Sequence, residues 1–377
     1  MHLGFVVYGP LDDRSGGYRY DLELVRRFRE AGDEVTVVSL PERAYWARLG
    51  DNATALRRLR KLDVDVLLQD ELCHPSLAAA NAGLDDDTPL VSVVHHLNSR
   101  ENFHPWRRRL RQLVEARYLD SVDAFVFNSE TTRESVADLT TTEPSVVAYP
   151  AGDRFSEFGA PVTPEAIGER ATDGPLQVVT VGNLEPRKNV DGLLRGLSRV
   201  RWEWELTVVG AAVDARYERR LRTLVSDLGI EDYVTFTGRL PDADLAATLR
   251  ESHVFALPSH YEGFGIAALE AMGFGLPAIV STAGGGSELV THREDGYLVD
   301  PTDPSEITDA IAPLCRDSER LVAHSLAARQ RYLDHVTWDE TAATVREFVR
   351  AVAEGTATGS MGATDATATN STTRSVK

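Results

Sequence analysis

Tyr261-Glu262-Gly263-Phe264-Gly265-Ile266-Ala267-Ala268-Leu269-Glu270-Ala271-Met272 sets two carboxylates, Glu262 and Glu270, eight residues apart around a Gly-Phe-Gly turn. Ile266, Leu269 and Met272 recur at helical spacing, which predicts a helix beginning near Gly265. The first turn of such a helix has backbone N–H groups without intrahelical partners and the positive end of the helix dipole. Gly263 and Gly265 lack a Cβ, so a ligand can come close to this backbone. Glu262 then lies just ahead of the helix and Glu270 more than a turn inside it. A ligand with hydroxyls at both ends and a diphosphate between them, such as a nucleotide sugar, suits that arrangement. The alternative is a buried helix whose two glutamates are only solvated.

Around this stretch the second half of the chain reads as strands at 177–182, 204–210, 233–237, 253–257 and 277–281, alternating with helical patterns. The first of them ends in Gly182-Asn183-Leu184-Glu185-Pro186-Arg187-Lys188-Asn189, ahead of a helix with Val190, Leu193, Leu194 and Leu197. Adjacent Arg and Lys at a βα turn can clamp a diphosphate, Arg187 as a fork and Lys188 as a point charge. The other reading of the pair is a solvated basic turn. Phe236-Thr237-Gly238-Arg239-Leu240 closes another strand with a loop able to meet a nucleobase edge through backbone groups. Thr282-Ala283-Gly284-Gly285-Gly286-Ser287-Glu288 gives a Gly-rich turn before a short helix. All these turns follow strands, so one rim of a parallel sheet can gather them.

The first half has the same rhythm. Strands are predicted at 2–8, 34–40, 64–69, 90–95 and 124–128, and a last one ends near Tyr149. The first runs through Gly9-Pro10 and the polar loop Asp12-Asp13-Arg14-Ser15-Gly16-Gly17 into a helix marked by Leu22, Leu24, Val25 and Phe28. Ser15-Gly16-Gly17 is not a dinucleotide fingerprint, and from the loop alone an ordinary tight turn explains it equally well. His95 and His96 end a buried strand; one can bond a sugar hydroxyl or phosphate, or simply sit in a hydrogen-bonded loop. Arg107, Arg108, Arg109, Arg111 and Arg117 follow Trp106 on a helical pattern, and Arg57 to Lys61 form a second basic patch. Such helices are either solvated faces or contacts for an anionic acceptor or membrane surface.

At 377 residues the chain is long enough for two cores. The domain boundary is placed at residues 152–153, in the Pro-containing polar run that reaches Pro175. A helix over about 338–354 follows the second domain, and residues 355–377, almost all Gly, Ala, Ser and Thr, read as a disordered tail. A hydrophobic fraction of 42% and no apolar run of membrane-spanning length point to a soluble, cytoplasmic protein. The opening residues read as a strand rather than a signal peptide. Only Cys73 and Cys315 are present, without metal-ligand spacing, which argues against disulfides and structural zinc. The Asp63-Val64-Asp65 and Asp85-Asp86-Asp87 runs read as solvated, and no metal site is assigned.

The formal charge is −18, and only three of the 40 basic residues are lysines, Lys61, Lys188 and Lys377. An acidic, Lys-poor surface suits solubility in high salt, so a halophilic source is one explanation and a GC-rich genome the other. Bulk nucleic-acid binding does not fit this charge.

Ser15-Gly16-Gly17 with Gly32-Asp33-Glu34-Val35 resembles the opening of glycosyltransferase family 4. Arg187-Lys188, Glu262 with Glu270, Gly284-Gly285 and Asp295-Gly296-Tyr297-Leu298-Val299 are similar to that family's second half. The resemblance spans about residues 1–353 and implies the α/β GT-B fold, two doubly wound Rossmann-like domains facing across a cleft. It implies retaining glycosyl transfer from a UDP- or GDP-linked sugar to a glycan or lipid-linked acceptor. The candidate catalytic set is then Arg187 and Lys188 on the leaving diphosphate, Glu262 on the donor sugar, and His95 near that sugar's 6-position. Donor binding is carried over to Gly16, Gly17, Gly182, Asn183, Arg239, Gly263, Phe264, Gly265 and Ile266, with Glu270 on the ribose hydroxyls. The resemblance requires neither metal nor cofactor nor protein nucleophile, since the donor phosphate takes the acceptor's proton. His96 stands where many relatives have Asp, so either imidazole can be the one that enters the site. A GT-B epimerase and a silent nucleotide-sugar-binding scaffold are the rival readings.

Overall fold

The computed structural model describes residues 1–11, 15–85, 87–100, 105–158, 162–172 and 174–361. The loop residues Asp12, Asp13 and Arg14, Asp86 of the triple-aspartate run, and the tail after 361 lie outside it. The chain forms two compact units, one of Met1–Pro150 with the chain from Trp338 onward, the other of Ala151–Thr337. The break comes at Pro150, two residues ahead of the sequence boundary. Gly152 explains the difference, because it packs against Leu269 and the Glu270 amide of the second unit.

In the first unit β1 (His2–Tyr8), β2 (Glu34–Leu40), β3 (Val66–Asp70), β4 (Leu90–Val94), β5 (Ala124–Phe127) and β6 (Ser145–Val147) pair in parallel. Their order is β2-β1-β3-β4-β5-β6, with Leu3 of β1 opposite Val35 on one side and Val66 on the other. The central strands are buried at every position and mostly apolar, as strands covered on both faces must be. The helix Gly16–Glu30 lays Tyr20, Leu24, Val25 and Phe28 on the sheet, and Asp21 falls on that same buried stripe. The helix Trp338–Ala353 packs back on this unit. Trp338 meets the Tyr20 ring edge-on at 5.6 Å, Thr341 donates to the Tyr149 carbonyl, and Arg346 pairs with Asp33.

In the second unit β7 (Leu176–Val181), β8 (Trp204–Val209), β9 (Val234–Gly238), β10 (Val254–Leu257), β11 (Ala278–Ser281) and β12 (Gly296–Val299) form a parallel sheet ordered β9-β8-β7-β10-β11-β12. The chain reverses direction across the sheet between β7 and β10, which are hydrogen-bonded neighbours. Loops leaving the C-terminal ends of two such strands diverge and open a crevice. β12 adds to the strands read from the sequence.

The tail reading needs one correction. Ser360–Met361 form β13, parallel to Ser145 and Val146 of β6, with the Ser145 amide donating to the Gly359 carbonyl. A bare sheet edge presents unpaired backbone groups, and this segment pairs with them despite its composition. The tail is ordered at least this far.

Candidate active site

The reversal between β7 and β10 places the two decisive stretches side by side. A single turn of 3-10 helix, Pro186–Lys188, follows β7, and Asn189 ends it at φ 53°. The Asn189 amide group donates to the carbonyls of Pro258 and Pro301, at 2.9 and 2.7 Å. These bonds tie the Arg-Lys turn to the loop that leaves β10. There the Lys188 ammonium donates to Glu262 Oε2 at 2.7 Å, Arg187 approaches the same oxygen at 3.4 Å, and the Ser259 hydroxyl donates to it at 3.2 Å. Arg187 also donates to Glu185 at 2.7 Å and to the Tyr261 carbonyl at 3.0 Å. Two cations and two carboxylates thus interlock, all partly reached by solvent. Burial pulls the Lys188 ammonium below its usual range, against the opposing pull of Glu262.

Glu262 is held in place from behind. Its backbone forms a parallel bridge with Gly284, and the Gly285 amide donates to its carbonyl at 2.9 Å. Gly284 has φ 104°, and a Cβ there would stand 2.1 Å from the Glu262 carbonyl oxygen; at Gly285 one would stand 2.2 Å from that of Gly263. The Gly-Gly pair therefore serves backbone-to-backbone packing of two loops. The predicted helix runs from Ile266 to Met272, two turns long, with Gly265 as its cap. Gly263, Phe264 and Gly265 are buried, Ile266 is half-buried, and the Phe264 ring lies 5.6 Å from that of His335.

Glu270 is buried in the second turn of that helix, 3.8 Å from Arg154. Arg154 also forms a bidentate pair with Asp242. Gly182 packs beside Lys188, Asn183 is half-buried next to it, and Arg239 is exposed after β9. The second unit therefore draws Arg187, Lys188 and Glu262 into direct contact. Glu185, Asn189, Ser259 and Arg154 were not singled out from the sequence, although Glu185 and Asn189 flank the Arg-Lys pair.

The first unit treats its polar residues differently. His95, directly after β4, is buried, and its Nε2 lies 2.9 Å from Oδ1 of Asp21, a carboxyl closed off from solvent. Its Nδ1 and Asp21 Oδ2 have no hydrogen-bond partner among the described residues. Asp70, the last residue of β3, is buried beside them and accepts from the Leu72 amide at 2.9 Å. Burial pushes the Asp70 carboxyl up to about 8, with Asp21 adding to it. His95 rises to about 9, since Asp21, Asp70 and Glu71 outweigh the burial that would lower it. Gly16 is exposed, and Gly17 abuts the imidazole, where a Cβ would stand 3.1 Å from its Cδ2. His96 is half-buried.

Close by in the chain, Glu71, His74 and Glu115 form a second fully buried group. Both groups bring their donor atoms within 4.8 Å of one another, a spacing that a cation can bridge. In each, however, the imidazole Nε2 is engaged as a hydrogen-bond partner, with Asp21 in one and with the Tyr45 hydroxyl in the other. Neither group was read from the sequence. Asp21 on an apolar helix stripe was the available signal. Both cysteines are free thiols.

A family model described as glycosyl transferases group 1 matches residues 164–331, and one described as Glycosyltransferase Family 4 matches residues 14–153. The GDP-mannose-dependent alpha-(1-6)-phosphatidylinositol monomannoside mannosyltransferase of Mycobacterium tuberculosis is 33% identical over 248 residues, 61% of this chain and 62% of that one. The D-inositol 3-phosphate glycosyltransferase of Acidothermus cellulolyticus is 30% identical over 276 residues, 67% of this chain and 60% of that one. The matches thus span about three fifths of each of these relatives. Among solved structures, sucrose-phosphate synthase from Thermosynechococcus elongatus superposes with a TM-score of 0.81 at 20% identity, over 94% of this chain and 99% of that one. With two family models that between them take in both sheets, and with the fold of that synthase, the chain belongs to the GT-B glycosyltransferases of family 4.

Proposed function

We propose that this chain moves a hexosyl group from a UDP- or GDP-linked sugar to an acceptor hydroxyl, with retention of anomeric configuration and without a metal. The observation that carries this reading is the convergence of Arg187 and Lys188 on one oxygen of Glu262, where β7 and β10 diverge. In such a transfer the bond from the anomeric carbon to phosphate oxygen breaks, and the diphosphate leaves with the electron pair. The acceptor oxygen bonds to the same face of that carbon, and its proton passes to the departing phosphate. Charge develops on the diphosphate, and positioned cations lower the barrier where it develops. Arg187 and Lys188 would exchange Glu185 and Glu262, which have solvent to turn to, for phosphate oxygens. Glu262, so released, would accept from a sugar hydroxyl.

Thermal shifts with UDP, GDP, ADP and their sugar conjugates test the donor site. A ligand at 100 times its dissociation constant stabilises by about 2.7 kcal/mol. A shift with one base, lost in the Arg187→Ala/Lys188→Ala variant, is expected. Absence of any shift in folded protein would favour a scaffold, and turnover without release of nucleoside diphosphate an epimerase.

The mannosyltransferase relative's name includes a phosphatidylinositol acceptor, and the helix Pro105–Leu119 supports an acceptor at a membrane surface here too. Trp106, Leu110 and Leu113 lie exposed at helical spacing, with Arg107, Arg108, Arg109 and Arg117 exposed around them. Apolar residues flanked by arginines suit anionic headgroups, each cation adding about 1 kcal/mol. No helix among the described residues is long and apolar enough to span a membrane, so the contact would be peripheral. Sedimentation with phosphatidylglycerol vesicles is expected, with loss in the Arg107→Glu/Arg108→Glu/Arg109→Glu variant. No binding by the intact protein would end this part of the reading.

A further inference from the structure

The first unit contains a polar pair that the transfer chemistry above does not use. Asp21 stands on the sheet-facing stripe of the helix Gly16–Glu30, at a position where Tyr20, Leu24, Val25 and Phe28 bury apolar side chains. A carboxylate in such surroundings is costly unless it is paired. It is 0% exposed, and its one hydrogen bond, 2.9 Å long, is to Nε2 of His95, itself 4% exposed. Of the four polar atoms in this pair, two face each other, and the other two, Asp21 Oδ2 and His95 Nδ1, have no partner among the described residues.

The ring is fixed on further sides. Gly17 lies against its Cδ2 side, the Tyr20 ring meets it at 5.3 Å and 72°, and Asn128 donates to the His95 carbonyl at 2.9 Å. From these contacts we infer that Asp21 is a positioning residue. It holds His95 with Nε2–H turned onto its carboxylate, so that Nδ1–H, on the ring edge away from Gly17 and without a partner among the described residues, is the donor left for an oxygen of the sugar nucleotide. This inference rests on the donor-binding reading given above and adds the residue that orients and charges the imidazole.

The charge follows from the surroundings. The groups facing His95 are Asp21 from its helix, Asp70 from the end of β3 and Glu71 just after it, and all three favour the imidazolium. Of these, Asp21 is in hydrogen-bond contact. An imidazolium has two donors, so fixing Nε2–H on a carboxylate makes Nδ1 a charged donor rather than an acceptor. Hydrogen bonds from charged groups are the stronger class, and losing one costs about tenfold or more in binding.

Nitrogen NMR of the His95 ring in the full chain, with His95→Gln used to assign its signals, reads this state without any activity measurement. The expected result is a doubly protonated ring at pH 7.5. In Asp21→Asn, whose amide can no longer stabilise the charge, the ring is expected to be neutral at that pH. With a donor that is turned over, Asp21→Asn should raise the donor KM about tenfold near pH 8, with kcat changed less. The difference should narrow below pH 6.5, where an unassisted imidazole takes up its proton. A neutral ring in the unaltered chain at pH 7.5 overturns the inference even if Asp21→Asn does not fold. So does an Asp21→Asn loss of the same factor at every pH, which marks a purely structural carboxylate. If no sugar nucleotide is turned over, the donor reading fails, while the NMR still decides what Asp21 does to His95.

Discussion

The two units handle charge in opposite ways. In the second, Arg187 and Lys188 balance Glu185 and Glu262 at the rim of the sheet, and all four are partly open to solvent. In the first, Asp21 and Asp70 are buried around His95, and Glu71 and Glu115 around His74. A balanced, solvent-reaching set can exchange its internal carboxylates for a ligand's phosphates. The closed, carboxylate-rich set has its carboxylates shut off from solvent, and they act on the charge state of their own imidazole. Under the proposed function, the groups that would meet substrate charge are those of the second unit, while in the first the charge state of His95 is set by buried carboxylates.

The sharpest way to break this comparison is to remove one cation from the open set. Lys188→Ala is expected to lower kcat/KM by about 10²- to 10³-fold, the loss seen when one preorganised group facing transition-state charge is deleted. The melting temperature should change little, because Arg187 stays beside the Glu262 oxygen that Lys188 leaves and that oxygen reaches solvent. Steady-state kinetics beside a melting curve checks both. An unchanged rate would remove Lys188 from the chemistry. A smaller effect is expected from Gly284→Ala, whose Cβ would meet the Glu262 carbonyl oxygen at a backbone φ of 104°. Strain of this kind costs about 2 kcal/mol and would displace Glu262 from Lys188. Urea unfolding should show the lost stability, and weakened donor binding should accompany it.

Much of this was legible beforehand, and the limits have physical causes. Parallel strands covered on both faces leave apolar runs that a sequence reading finds, and β1, β2 and β7 fall where those runs are. The Arg187-Lys188 and Glu262 stretches could be placed on one rim because each follows a strand. What could not be read was the pairing across the sheet. That Lys188 donates to Glu262, 74 residues away, follows from β7 and β10 being neighbours, and strand order is not written locally. Gly284-Gly285 read only as a Gly-rich turn on the sheet's rim, and the space their missing Cβ atoms leave is filled by the Glu262-Gly263 backbone. Asp21 was legible only as an anomaly on an apolar stripe. Its partner lies 74 residues further on, and burial hides both from any surface pattern.

The smallest expected effect sharpens the contrast through pH. Burial raises the Glu115 carboxyl from 4.5 to about 7 and the Asp70 carboxyl from 3.8 to about 8, and nearby carboxylates raise His95 from 6.5 to about 9. In each case the folded chain holds a proton that the unfolded chain releases at lower pH. Stability from these groups is therefore greatest in acid and declines as pH rises through the folded values. His74, which burial lowers to about 4, has the opposite sign and adds stability between about 4 and its ordinary 6.5. The first unit should therefore be less stable at pH 9 than at pH 6, with the steepest loss between about 6.5 and 8, where the declines from Asp70, Glu115 and His95 overlap and the gain from His74 is complete. Lys188 is lowered, so the second unit gains rather than loses as its unfolded ammonium titrates in strong alkali. Hydrogen exchange at pH 6, 7.5 and 9, corrected for intrinsic rates, should show amides of β3 and β4 losing protection while those of β7 and β10 do not. Glu115→Gln should flatten the portion of the decline between pH 4.5 and 7, because the amide can still accept from Ser99 but has no proton to release. Equal loss of protection in both sheets would mean that the buried carboxylates do not set the difference, and the contrast between a closed and an open charge set would fail.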